Sequence, residues 1–577
     1  MTTRQAWPQR LTAMATAGNW PLRFLVLAAI AAFYALTAAG NLSEPDDAFA
    51  FAYRAERLPL AHVSDPRLLG YHTLARCLWL LSDAAGFGIR GLEILRGISV
   101  FCAAGCLWLV LRILTRNLAL GPIPALISTG LLASTYGFWR YAAEGDVYIP
   151  AMMLCAGVLH LLLEHPGDPV RHTAIGALAG LCVLFYQPNA IPLFLAFPLL
   201  LMRGGPASVF AYCAGGGMVI AAGYLAGYLA FWPAPYDLRS FGEFLAQRSG
   251  EFSLAPLSLK TVVVSAIQSA FALGHDLLSS NWVFGLPHAD RVVARIFSGQ
   301  IIDEEVFLAR QAGALVYLPL VVLPLATIAA WRVLAAARPL ALKPLRTRPM
   351  PVILLWALLT ALVIGRLNPV GIEPWIVFLL PLTLVVAVVF VAPACARHGA
   401  PAAGLLLLAV ALHNAVGGMA LVRDKTSDLT YLRGEWVVKN GHAGDLVLVV
   451  ANAYLVESLR YLSRARVEMI HPAMLPALAD ALQQKQDPKT RVLSIGRDFG
   501  GTDVHALARK TLAGGGRVIL FDDFFAQNRG LRSPEQWIRG VADLKSRCRA
   551  VHRSADGMQT CVLEDSGPQR PAQDGQR

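Results

Sequence analysis

Charge is scarce in this chain. Only 15% of its 577 residues are Asp, Glu, Lys or Arg, against 56% apolar. A soluble domain carries about 25% charge, so the chain reads as an α-helical polytopic membrane protein. CxxC spacing is absent among the nine cysteines, which argues against a zinc site. Seven of them (Cys77, Cys102, Cys106, Cys155, Cys182, Cys213, Cys395) lie in or beside apolar runs and read as small core residues. In the tail, Gly500-Gly501 and Gly514-Gly515-Gly516 do not make a GxGxxG fingerprint, which argues against a dinucleotide site there, and the triplet reads more simply as a helix end and turn. No internal repeat or heptad stands out. The net charge of +12 does not point to nucleic acid, because many of the cations flank apolar runs.

What is present is a series of long apolar runs. A membrane helix needs about 20 mostly apolar residues. About eleven runs qualify: 21–40, 92–114, 118–138, 147–164, 172–187, 189–203, 207–232, 312–335, 350–366, 374–394 and 399–421. The pair at 172–203 is the least secure, since Gln187-Pro188-Asn189 gives only a tight turn. Arg4 and Arg10 precede the first run, and Arg332, Arg338, Lys343, Arg346 and Arg348 follow the eighth without an acid. Both stretches belong on the cytoplasmic side, and the two signals agree with eight spans between them. Residues 1–20 are then cytoplasmic and 21–422 form the membrane domain. The outer face receives the loop 41–91, the turn Ala143-Glu144-Gly145-Asp146, the segment 233–311 and everything after 422. Ser566 to Arg577, rich in Pro, Gly and Gln, is expected to be a disordered tail.

Acids gather on that outer face. Glu44, Asp46 and Asp47 follow the first run, and Glu144 and Asp146 form a second group. Carboxylates at a membrane surface are costly unless paired or useful. The bland reading makes the first group the cap of an interfacial helix starting at Pro45. The bland reading of the second is ordinary loop polarity. Trp139-Arg140-Tyr141 reads as an aromatic and cationic belt at the interface. Ala48 to Leu58 is helix-compatible, and Tyr71 to Leu81 reads as an interfacial helix. Part of the third outer segment, 261–284, is apolar enough to dip into the membrane. A full span there would put the basic stretch 332–348 outside, so it is rejected.

From Asp445 the pattern changes. Residues 445–451, 491–495 and 517–521 read as strands, with helices at about 453–463, 473–485 and 503–513. Residues 424–565 are therefore expected to form an outer α/β domain with a mainly parallel sheet. Cys548 and Cys561 bracket the turn Ser554-Ala555-Asp556-Gly557, and a disulfide between them is expected in an oxidising compartment.

Three stretches carry a family resemblance. They are Asp46-Asp47 just after the first run, the amphipathic His72-Thr73-Leu74-Ala75-Arg76, and FWRYAAEGDVYIPAMML at 138–154. On these, roughly residues 20–420 resemble integral-membrane glycosyltransferases of the GT-C superfold, of the bacterial type that uses polyprenyl-phosphate sugars. The 138–154 string is similar to the outer turn between spans three and four of that family. The resemblance implies inverting sugar transfer from a polyprenyl-phosphate donor at the outer face of the bacterial inner membrane. It implies a first-loop aspartate as general base, here Asp46 or Asp47 with a narrow preference for Asp47. Glu144 and Asp146 match the second-loop acid. The stretch around Glu373-Pro374-Trp375 is only loosely similar to later outer loops, and no WWDYG motif is present, which argues against an oligosaccharyltransferase.

The chemistry can be stated from the residues alone. A hydroxyl attacking an anomeric carbon needs a carboxylate within hydrogen-bond reach. The leaving phosphate needs fixed cations. Arg54, His72, Arg248, Lys260 and Arg291 are the candidates on the outer face. A divalent metal is left undecided, with His288 as a candidate ligand. The partners implied are membrane lipid, a polyprenyl-phosphate-linked sugar and an acceptor the sequence does not identify. The competing readings are a transporter or lipid flippase and a non-catalytic assembly protein. A transporter predicts broken helices and midplane charge, whereas the acids here gather at one surface.

Overall fold

A computed structural model describes residues 20–38, 46–58, 65–165, 168–232, 235–246, 258–284, 286, 317–336, 349–369, 371–423, 429–450, 453–470, 504–521, 542, 544–548, 550–553 and 559–564. The chain forms two compact units. The first comprises Met1–Asn41 and Phe51–Ser427, the second Leu42–Ala50 and Asp428–Arg577.

The first unit is helical. Among the described residues, six helices are long and apolar enough to cross a membrane: Gly91–Asn117, Pro206–Phe231, Leu318–Ala335, Met350–Leu367, Ile372–His398 and Ala400–Val422. A seventh span results if Tyr136–Ala143 and Tyr148–Glu164, bent by 109°, count as one. Four apolar helices are shorter: Phe24–Thr37, Pro122–Ser134, Pro169–Phe185 and Gln187–Leu201. Local chemistry sets many of the starts. Proline occupies the first turn at Pro122, Pro169 and Pro206, where its missing N–H costs nothing. Asp168 caps its helix by accepting from the N–H groups of Val170 and Arg171 at 3.1 and 3.3 Å. Glycine permits the closest helix contact. A Cβ on Gly176 would lie 2.0 Å from the Tyr212 carbonyl oxygen, and one on Gly180 2.6 Å from that of Gly216. Small residues of this kind let helix backbones touch where no hydrophobic force separates lipid from protein.

The run expected to span 118–138 is broken. Its helix ends at Ser134, Thr135 is extended (φ −60°, ψ 143°), and a separate helix, Tyr136–Ala143, begins. The polar pair Ser134-Thr135 turns its hydroxyls back onto the carbonyls of Leu131 and Leu132, at 3.2 and 2.8 Å. The interface belt expected at Trp139-Arg140-Tyr141 is also corrected. Every residue of Tyr136–Ala143 is buried, because protein rather than water or lipid surrounds this helix. Leu259–Leu277 starts on a capping box between Ser258 and Thr261 and is not among the helices that pass as spans.

Among the described residues, the second unit holds a five-stranded sheet, with β1 Leu446–Val450, β2 Arg466–Ile470, β3 Val518–Phe521, β4 Ala550–Arg553 and β5 Gln559–Leu563. The order is β2-β1-β3-β5-β4. β1 is parallel to β2 and β3, while β5 is antiparallel to β3 and β4. Leu446, Leu448, Val518 and Leu520 face a layer with Leu507 and Leu512, and Val447, Val449, Ile519 and Phe521 face one with Leu455 and Leu459. Burial on both faces explains why β1 reads LVLVV without alternation. β2 was not expected, because Arg466 and Glu468 interrupt its apolar residues. They pair with each other at 2.9 Å. Cys548 and Cys561 are joined by a disulfide. The strand expected at 491–495, the helix at 473–485, the turn at 554–557 and the tail from 566 lie outside the described residues.

Candidate functional site

The helix Tyr136–Ala143 organises a polar core in the first unit. Residues four apart on a helix share a face, so Tyr136, Arg140 and the following Glu144 line up. Arg140 Nε donates to Glu144 Oε1 at 3.1 Å and Nη1 to the Tyr136 hydroxyl at 3.2 Å. Asn281 Nδ2 donates to the same hydroxyl at 2.9 Å. Arg140 is 3% exposed and Glu144 0%, so each charge depends on the other for its burial. The chain then turns sharply. Asp146, also buried, accepts from the N–H of Val147 through Oδ1, and its carbonyl accepts from Ser99 Oγ at 3.2 Å.

A second face of the same helix carries Gly137 and Tyr141. The Tyr141 hydroxyl donates to Glu373 Oε1 at 3.1 Å, and the Tyr148 hydroxyl to Oε2 at 3.4 Å. Asp276, at the end of Leu259–Leu277, packs on Gly137. A Cβ there would lie 2.4 Å from Asp276 Oδ1, so only glycine admits the carboxyl. Asp276 is fully buried, and among the described residues neither of its oxygens has a hydrogen-bond partner. Burial holds this carboxyl well above the usual carboxylate range. The negative charge of Glu373 adds to that, and Arg140 opposes it. One helix thus brings Glu144, Asp146, Glu373 and Asp276 to a common neighbourhood, held by one guanidinium and three tyrosine hydroxyls.

Of the residues singled out from sequence, Glu144 and Asp146 belong to this cluster. Asp46 and Asp47 open the helix Asp46–Arg57, and the first residues of that helix belong to the second unit. Phe49 is buried there, with its ring centroid 6.2 Å from that of Tyr461. Asp47 is exposed, and Arg54 is half-buried further along the helix. His72 is buried in the first unit. Its Nδ1 accepts from the Asp65 N–H at 3.3 Å and its ring stands 4.7 Å from that of Phe51. Lys260 is exposed in the first turn of its helix. Glu44, Arg248, His288 and Arg291 lie outside the described residues. Among the described residues no three metal-ligating side chains come together.

Two residues of the cluster were not singled out as site residues in the sequence. Asp276 sits beside His275 in an apolar stretch, where a single acid gives no pattern. Glu373 stands alone before Pro374. The Arg140/Glu144 pair did carry a signal, the four-residue spacing of opposite charges, had the segment been read as a helix.

No family model and no curated protein matches the chain. Solved structures do. The structure of ArnT from Cupriavidus metallidurans bound to undecaprenyl phosphate superposes with a TM-score of 0.54 at 12% identity, covering 96% of this chain and 100% of that one. The chain has the GT-C fold. The apo state of the same ArnT gives a TM-score of 0.44 at 13% identity, over the same shares of both chains. At this identity the GT-C likeness speaks for the arrangement of helices and not for any individual side chain.

Proposed function

We propose that the chain is a membrane glycosyltransferase that moves a sugar from a polyprenyl-phosphate donor to an acceptor hydroxyl. The observation that carries the proposal is the GT-C fold, shared over 96% of the chain with a protein whose structure holds undecaprenyl phosphate. The buried acids Glu144, Asp146 and Asp276, with the half-buried Glu373, support it, since carboxylates in a membrane protein are kept where they are paired or used.

In this reading all eleven apolar stretches span a bacterial inner membrane, with residues 1–20 cytoplasmic. The acid cluster, the loops 41–91 and 233–311, and the α/β domain of 424–565 face outward. Asp46 or Asp47 takes the proton from the acceptor hydroxyl as its oxygen attacks the anomeric carbon. The bond to the donor phosphate breaks on the opposite face, so the configuration inverts and the lipid phosphate leaves with the bonding pair. Arg54, Arg248, Lys260 and Arg291 are the candidate cations for that phosphate. His72 would join them as a hydrogen-bond donor to the phosphate through Nε2. Glu44, Glu144 and Asp146 are the supporting acids, and Arg140 fixes Glu144.

The test uses the full chain in lipid nanodiscs with a panel of undecaprenyl-phosphate-linked radiolabelled sugars and membrane glycolipid acceptors. Asp46→Asn and Asp47→Asn, singly and together, are compared with the wild type. Turnover should fall by about 10²–10⁴-fold in whichever single variant removes the base, with an unchanged unfolding midpoint. Full turnover in the double variant rules out this assignment of the base, and a wild type inert toward every donor rules out the reaction.

A further inference from the structure

Asn414 ends the helix Ala400–Asn414 with none of its surface exposed. An amide inside an apolar span is costly unless its hydrogen bonds are made. Those of Asn414 are made to three places in the chain. Oδ1 accepts the Ser279 N–H at 2.9 Å. Nδ2 donates to the carbonyls of Ser134 at 2.7 Å and Leu277 at 2.9 Å. Ser134 closes Pro122–Ser134 and Leu277 closes Leu259–Leu277. Both carbonyls are among the acceptors that every helix end leaves without an internal partner.

The surroundings reinforce the same junction. His413 Nε2 donates to the Ser279 carbonyl at 3.0 Å, as does Trp282 Nε1 at 3.0 Å. The helix widens to a π-turn at Ala415–Met419, a feature often found at functional positions. Within it the Gly417 carbonyl accepts from Ser279 Oγ at 2.9 Å. Gly418 lets the helix touch two neighbours at once. A Cβ there would lie 2.5 Å from the Tyr136 ring and 2.8 Å from Ser279 Cβ.

We infer that Asn414 is a positioning residue: it latches residues 277–282 to the last apolar helix and thereby holds Asp276 on Gly137 and Asn281 on Tyr136, at the acid cluster. The catalytic consequence rests on the proposed transfer reaction, while the latch stands on these hydrogen bonds alone. Asn414 touches neither a reacting group nor any of the four acids. Its effect passes through the end of Leu259–Leu277, whose last turn carries Asp276, and through the turn that delivers Asn281.

The experiment follows amide hydrogen exchange in nanodiscs for the wild type and Asn414→Leu, which fills similar space without hydrogen bonds. Exchange across 277–283 should accelerate by about ten-fold or more, the factor that corresponds to about 1.4 kcal/mol. Peptides from Pro206–Phe231 should not change. A second readout is the infrared carbonyl band of a protonated carboxylic acid, assigned to Asp276 by its loss in Asp276→Asn. It should weaken in Asn414→Leu as Asp276 meets water and ionises, which a space-filling role would not cause. If Asn414→Leu does not fold, Asn414→Asp keeps the shape and the acceptor but loses both donors, and the same acceleration is expected. Unchanged exchange and an unchanged band in a folded variant overturn the latch. With an active donor in hand, kcat should fall more than KM rises. A wild type without turnover removes the reaction, and the exchange data still decide the latch.

Discussion

Two buried aspartates, one in each unit, sit in opposite surroundings. Asp445 immediately precedes β1 in the second unit. It accepts from Arg517 Nη2 at 2.6 Å and Nε at 3.2 Å, and from the N–H groups of Arg517 and His442 at 3.0 and 2.8 Å. Burial pushes this carboxyl up, but the hydrogen bonds from Arg517 and His442 outweigh burial and hold it below the usual range. Asp276 in the first unit is just as buried and, among the described residues, its oxygens have no such donors. Its carboxyl is held high instead. Asp445 is an anion built into a sheet corner, where it joins the starts of β1 and β3. Asp276 is an acid stored at the edge of a polar cluster without compensation in the fold. Satisfied charges of the first kind serve structure. Unsatisfied ones of the second kind mark places where a protein tolerates cost for another purpose.

The largest break in this comparison should come from the first unit's own satisfied pair. Arg140→Ala leaves Glu144 buried without its cation and should cost about 3–5 kcal/mol. That would be read as a large fall in the unfolding midpoint in detergent, and a fall no larger than that of a surface variant would contradict the pairing. Asp445→Asn comes next, at about 1–3 kcal/mol. Its sign with pH follows from the depressed carboxyl. The stabilisation is present above the unfolded carboxylate range and is lost as pH falls through the lower folded value. Hydrogen exchange of β1 should show that acid dependence in the wild type and not in the variant.

Asp276→Asn should have the smallest effect on stability, under about 1.5 kcal/mol at neutral pH, because an amide replaces a neutral acid of nearly equal volume. Here the pH sign reverses. The folded state keeps a proton that the unfolded chain releases, so wild-type stability falls as pH rises from the ordinary carboxylate range toward the raised folded value. The variant should lack that slope. Wild-type stability that rises with pH relative to Asp276→Asn would place Asp276 with Asp445 as a structural anion, and identical pH profiles would mean that its carboxyl is not shifted; either result ends the contrast.

Much of the architecture was legible in the residues. Apolar runs marked the helices, and LVLVV and RVILF marked two central strands, since burial on both faces demands continuous apolar side chains. Glu144 and Asp146 were recognised as a pair because they sit together in a short turn. Arg140 was taken for an interface residue, since its neighbours are aromatic and its partner lies four residues on. β2 was missed because Arg466 and Glu468 mimic a polar connection while pairing with each other. Asn414 gave no local signal, and Glu373 only a loose likeness to the family's later outer loops. Their partners lie 232 and 225 residues away for Glu373, and 280, 137 and 135 residues away for Asn414.

By itself the sequence determined the solvent this chain is built for and the spacing of its helices, because transfer free energy and helix starts depend on residues close in the chain. Tertiary structure alone decided which acids share a neighbourhood, which of them are neutralised by a cation, and that the first residues of the helix opened by Asp46 and Asp47 pack with the second unit. Those outcomes depend on contacts between residues far apart in the chain, and a carboxylate's role is set by what surrounds it rather than by its place in the sequence.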